Sequence, residues 1–117
     1  MEPMEKAGRV ADRSQIIADL VKAIVAGYSP ERIILFGSFA YGEPDEGSDI
    51  DLLIIKDTEE PFLDRMFAVR RLVRELHLRV GFDPIIVTPA ELEQRLNIGD
   101  QFLAEACQRG KTLYAAR

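Results

Sequence analysis

The stretch LFGSFAYGEPDEGSDIDLLII, Leu35 to Ile55, sets a glycine-containing loop between two apolar runs and closes on paired carboxylates. The flanking runs, RIILF at Arg32–Phe36 and DIDLLII at Asp49–Ile55, are short, apolar and rich in isoleucine, the composition of buried strands. Between them, Gly37 to Ser48 holds three glycines and a proline, which reads as a loop with room for one helical turn. Side chains alternate along a strand, so Asp49 and Asp51 are expected on one face, with Ile50 and Leu52 on the other. Two carboxylates that close repel each other unless a cation lies between them. A hard cation such as Mg²⁺ takes oxygen ligands, commonly one or two protein carboxylates together with substrate phosphates. Gly37 lets the backbone approach a ligand with no Cβ in the way, and Ser38 offers a hydroxyl. The N–H groups after Ser38 can donate to an anion if a helical turn begins there. Phosphate at Gly37 and Ser38, with metal at Asp49 and Asp51, describes a site for a Mg²⁺-bound nucleotide. An Asp-x-Asp taken alone reads equally well as a solvated strand end. Its conjunction with the Gly-Ser loop, between two apolar strands, favours the nucleotide–metal reading.

Outward from this segment, Ile16, Ile17, Leu20, Val21, Ile24 and Val25 recur at helical spacing, predicting a helix from Ser14 to a stop at Gly27. Residues 1–13 are polar and are expected to be flexible. Downstream, TEEP opens a long helix with Pro61 in its first turn. Phe62, Met66, Val69, Val73, Leu76 and Val80 form its apolar stripe, and Arg65, Arg70, Arg71, Arg74 and Arg79 are assigned to a solvated face. Gly81 is read as its stop. FDPIIV, Phe82–Val87, is a third strand, whose Pro84 suits an edge position or the first residues of a strand. TPAE, Thr88–Glu91, is a capping box with Pro89 at the first helical position. A short helix over Asp100–Gln108 closes at Gly110, and KTLYA adds a final extended piece. The pattern α-β-β-α-β-α-α predicts an α/β (α+β) fold, a small mixed β-sheet flanked by helices. Asp83 opens the third strand and is a candidate third carboxylate, able to ligate a metal or help deprotonate an attacking hydroxyl.

The chain has 117 residues, enough for one domain burying about two-thirds of its unfolded-chain surface. A 47% apolar fraction places it among globular chains, and a net charge of −5 argues against a general nucleic-acid-binding face. A bound divalent cation would reverse that field locally, so nucleotides are not excluded. The one cysteine, Cys107, excludes an internal disulfide and reads as a small core residue. His77 has no second histidine to build a site with and is read as a surface or packing residue. The acidic EPDEG is read either as a partner-facing loop or as a solubilising one. With no membrane-length apolar run and no hydrophobic signal core, a cytoplasmic location is expected.

Gly37-Ser38, ten residues, then Asp49-Ile50-Asp51 resembles the signature of the nucleotidyltransferase superfamily that includes DNA polymerase β. The small size is similar to that of the minimal nucleotidyltransferases (MNT domains), the antitoxin halves of HEPN–MNT toxin–antitoxin pairs, over about residues 14–115. The resemblance implies a nucleotidyltransferase fold and Mg²⁺, with two ions expected, held by Asp49, Asp51 and a third aspartate matched to Asp83. It implies contact of Gly37 and Ser38 with nucleotide phosphates. It further implies transfer of AMP from ATP to a hydroxyl, with a tyrosine of a HEPN toxin as the acceptor. One departure is plain. Many minimal members carry a basic residue in loops such as GSRARG, whereas this loop reads GSFAYG, with Phe39 and Tyr41 adding no positive charge, so weaker nucleotide affinity is expected unless Lys or Arg elsewhere compensates. Two other functions stay open: a non-catalytic module that occludes its partner, and a small-molecule nucleotidyltransferase subunit. Homo-oligomerisation is left open as well.

Overall fold

The computed structural model describes residues 2–42, 44–45 and 47–117, with side chains from residue 13 onward. Met1, Glu43 and Glu46 lie outside the described residues, and with the last two goes the reading of EPDEG as a whole. The elements are helix α1 (Glu2–Tyr28), strand β1 (Arg32–Phe36), the one-turn helix α2 (Ser38–Tyr41), β2 (Ile50–Ile55), α3 (Phe62–Val73), a 3-10 turn (Arg74–Leu76), β3 (Phe82–Val87), α4 (Pro89–Asn97), α5 (Gln101–Arg109) and β4 (Lys111–Ala115). This is the expected mixed α/β arrangement.

The four strands form one sheet in the order β3-β2-β1-β4. Strand β1 runs antiparallel to both β2 and β4, while β2 and β3 are parallel. A parallel pair needs a crossover, and α3 with its 3-10 turn supplies it. The central strand β2 is apolar on both faces because both are covered. Ile50, Leu52 and Ile54 pack with Leu20 and Ile24 of α1 and with Val69 and Val73 of α3. Leu53 and Ile55 pack on the opposite face with Ile34, Phe36, and Leu103 and Ala106 of α5. Each such side chain contributes about 1.5–3 kcal/mol by leaving water. Pro84 lies in β3, an edge strand, where its missing N–H need not interrupt an inner ladder.

Several local expectations are corrected. Helix α1 begins at Glu2, about three turns before Ser14. Its first half has helix-forming Glu, Lys, Ala and Arg but no apolar stripe, and the stripe was the signal used. Gly27 lies inside α1. A Cβ there would come 2.5 Å from Leu72 Cδ2, so this glycine permits close packing of α1 on α3. The helix stops instead at Ser29, which is left-handed at φ 51°, followed by Pro30.

Helix α3 ends at Val73, and His77, exposed and left-handed at φ 50°, turns the chain after the 3-10 segment. Leu76 and Val80 therefore lie beyond the helix, though both still pack on the core, and Gly81 is not a helix stop. Phe62, at the other end of the expected core stripe, is 47% exposed. Arg65 is not on a solvated face: it is 5% exposed. Its Nη1 and Nη2 donate to Glu91 Oε1 and Oε2 at 2.8 and 3.0 Å, Nη1 also donates to Ile86 O at 3.1 Å, and Nε donates to Glu60 O at 2.8 Å. This tie joins α3 to the edge of β3 and the first turn of α4. The capping box forms as expected, with Glu91 N–H donating to Thr88 Oγ1 and Thr88 N–H donating to Glu91 Oε1, both at 3.0 Å. Cys107 is half-buried against the α5-side core.

Candidate active site

The C-terminal end of β1 and the N-terminal ends of β2 and β3 meet at one end of the sheet. In register, Phe36 pairs with Asp51, Asp51 with Asp83, and Ile50 with Phe82. Asp51 and Asp83 are thus direct neighbours across a parallel pair, about one strand spacing (~4.8 Å) apart, with side chains on one face. Asp49 lies one residue before β2 rather than within it. The two strand beginnings are pinned by Ile50 N–H, which donates to Gly81 O at 2.8 Å.

Two glycines make room for the carboxylates. A Cβ on Gly37 would run into the Asp51 carboxylate, and one on Gly81 would run into that of Asp49. Gly37 also sits at φ 78°, where a side chain is strained. Gly81 was misread from sequence as a helix stop. The signal for its role is a glycine two residues ahead of an aspartate at a strand start, the place where backbone must approach a neighbouring side chain.

The electrostatics register this crowding. Burial pushes the Asp51 carboxyl up to about 6, and the nearby Asp83 and then Asp49 charges add to the effect. Asp83 is half-exposed, with Oδ1 3.9 Å from Nη2 of Arg70, which lies on the solvated face expected for it. Among the described residues, no group of three or more His, Cys, Asp or Glu side chains stands ready to hold a metal ion unaided. That is compatible with Mg²⁺, which takes only one or two carboxylates and completes its shell with water and phosphate oxygens. Hard oxygen donors, carboxylates that repel one another and an exposed Asp83 fit such an ion.

Ser38 begins α2, a single turn closed by Gly42 at φ 95°. Ala40 and Tyr41 N–H donate to Gly37 O at 3.0 and 2.9 Å, holding the turn against the carboxylates. A cavity of about 450 Å³ opens on the sheet face that carries Asp83. Ile85, Val87, Phe62 and Phe102 line it, and Ile85 lies two residues along β3 from Asp83. Phe102 in turn meets Phe36 edge-on at 5.5 Å, so the cavity adjoins the acidic end of the sheet.

A mixed four-stranded sheet flanked by helices is the fold this chain shares with a candidate nucleotidyltransferase of known structure. The family model of the nucleotidyltransferase domain matches residues 16–106, and the chain belongs to that family. A candidate protein adenylyltransferase of Methanocaldococcus jannaschii is 32% identical over 107 residues, covering 88% of this chain and 99% of that protein. A second one from the same organism is 44% identical over 63 residues, covering 51% of this chain and only 43% of the relative. A candidate nucleotidyltransferase from Sulfolobus solfataricus superposes with a TM-score of 0.54 at 28% identity, covering 74% of this chain and 81% of that one. A mutant of the toxin–antitoxin pair MntA–HpeT superposes at 0.58 with 18% identity, covering 86% and 73%, a likeness of fold alone. Among the described residues, no helix is long and apolar enough to cross a membrane.

Proposed function

We propose that this chain is a Mg²⁺-dependent adenylyltransferase that moves AMP from ATP to a hydroxyl of a partner protein. The partner of choice is a HEPN-type toxin, modified on a tyrosine and thereby silenced in the cytoplasm, with residues 1–117 acting as a single domain. The observation that carries the reading is the register of Asp51 against Asp83, with Asp49 beside them and Gly37 opening the nucleotide side. Support for a protein acceptor comes from the M. jannaschii relatives, and support for a toxin comes from the fold shared with MntA–HpeT.

In this reading Asp49, Asp51 and Asp83 would together hold the two Mg²⁺ ions expected, each ion taking one or two of these carboxylates. Bound there, the metal would supply charge stabilisation for the attacking and leaving oxygens. The chain's own residues do the rest. Gly37 and Ser38 receive the phosphates and fix the α-phosphorus in front of the carboxylates. The acceptor hydroxyl oxygen attacks that phosphorus, the bond to the bridging oxygen of pyrophosphate breaks, and pyrophosphate leaves opposite. The hydroxyl proton passes toward Asp83, which is exposed where Asp51 is partly buried. The cavity beyond Ile85, lined by apolar side chains together with Glu91, Arg95 and Asp100, gives the acceptor segment a seat on the same face.

The test is mass spectrometry of the partner after incubation with ATP and Mg²⁺. One added AMP on a tyrosine is expected, with at least a hundredfold slower addition by Asp51→Asn at unchanged circular dichroism. Toxin inhibition with no adduct would replace this reading by the occluding module.

A further inference from the structure

Among the described residues, one cation is ion-paired with a carboxylate of the site: Arg70 of α3, whose Nη2 lies 3.9 Å from Asp83 Oδ1. At that distance the contact is Coulombic and not a hydrogen bond. Both side chains stand about half in solvent, at 46% for Arg70 and 58% for Asp83. A pair of that kind is weak and readily exchanged for another partner. The root of the arginine, by contrast, is fixed. Val69 beside it and Val73 one turn on are buried, and Arg65 ties the same helix to Ile86 O of β3. A firmly seated helix therefore carries a loosely held guanidinium at the edge of the acidic cluster. Other cations are placed differently. Arg109 pairs with Glu105. Lys111 is in register with Leu35, whose side chain belongs to the α1-side core, whereas Asp51 is in register with Phe36 of the α5-side core. Residues directly opposite one another share a face, so Lys111 starts on the other side of the sheet from Asp51.

A divalent ion bound at Asp83 would set a double positive charge against a guanidinium already in place, and like charges so placed repel. The metal must therefore displace Arg70, and the displaced arginine needs another anion to turn to. A nucleotide supplies one. Its phosphate oxygens arrive with the metal and match the forked N–H edge of a guanidinium. We propose that Arg70 makes metal occupancy of this site depend on nucleotide: it guards Asp83 before any ligand binds and turns to phosphate when metal and nucleotide arrive together. This rests on the nucleotide reading above. The arrangement keeps the carboxylates from filling with an ion that has no substrate to act on. It also brings to the acidic strand ends a positive charge that the loop sequence GSFAYG lacks.

Calorimetric titrations of the purified chain, with Mg²⁺ alone and with a non-hydrolysable ATP analogue in excess Mg²⁺, test this. Arg70→Gln removes the charge at similar length. It is expected to bind Mg²⁺ alone about threefold to tenfold more tightly than the wild type, since one repelling charge has gone. It is expected to bind the analogue about tenfold more weakly, as for loss of a charge-assisted phosphate contact. The opposed signs are the signature, because structural damage would weaken both. Arg70→Lys keeps the charge without the fork, so it should hold Mg²⁺ as weakly as the wild type and recover only part of the nucleotide affinity. If the wild type binds the analogue, any result for Arg70→Gln other than the two opposed shifts, an absence of measurable Mg²⁺ binding included, overturns this inference alone. A wild-type chain that binds no analogue overturns the underlying reading, and this inference with it.

Discussion

At the scale of the residue, the site is defined as much by what is missing as by what is present. Gly37 and Gly81 lie on either side of β2, and each lends its vacant Cβ position to one carboxylate. They offer unequal experiments. Gly37 is also at positive φ, so alanine there combines backbone strain with displacement of Asp51. Gly81 is not among the positive-φ residues, so Gly81→Ala should displace the Asp49 carboxylate with little cost to the backbone. Misplacement of a reacting group by about 1 Å can cost on the order of a hundredfold. Gly81→Ala is therefore expected to lose at least tenfold in adenylyl transfer while unfolding within a few degrees of the wild type. Wild-type transfer rates in a folded Gly81→Ala chain would show that Asp49 need not be held where it is.

At the scale of the element, the tie between α3, β3 and α4 runs through Arg65 and Glu91. Glu91 is held well below the ordinary glutamate range, at about 2, first by the Arg65 hydrogen bond and then by the Thr88 backbone N–H. A depressed carboxylate contributes stability that is complete above its unfolded value near 4.5 and lost as pH falls toward 2. Glu91 is 45% exposed, so solvent screening limits the contribution, and Glu91→Gln is expected to cost about 1–2 kcal/mol at pH 7. That difference should shrink between pH 4.5 and pH 2 in paired denaturant titrations. A difference that stays constant across this range would remove the ion pair as its source.

Here too the limits of the sequence are visible. The strands and the Thr88 cap were legible, because each is written in consecutive or closely spaced residues. Arg65 was not, because its partner lies 26 residues onward and only the packed fold decides that this arginine, of the five between residues 65 and 79, turns inward. The role of Gly81 is hidden for the same reason, its meaning residing in Asp49, just ahead of another strand. For the Asp51–Asp83 neighbourhood the sequence offers only residue type and order, and the parallel register supplies the contact.

At the scale of the whole molecule, the fold bears an electrostatic cost at one end of the sheet in its ligand-free form. Net charge is −5, and Asp51 sits partly buried between two further carboxylates. A folded state that strains to ionise a carboxylate is weakened by it at neutral pH, so neutralising the group should firm the ligand-free chain. Binding of Mg²⁺ and ATP should do so more strongly in the wild type, since a ligand taken up only by the native state stabilises it by mass action. At ten times its dissociation constant the gain is about 1.4 kcal/mol, or roughly 4–6 °C for a chain of this size. Asp51→Asn is thus expected to melt at or above the wild-type temperature without ligand, and to show little or no shift with Mg²⁺–ATP. Chelation of the metal should return the wild type to its ligand-free midpoint. The two halves of the result must appear together: an Asp51→Asn chain that melts low, or one that shifts as the wild type does, would mean that this carboxylate is neither the strained group nor the one that holds the ion.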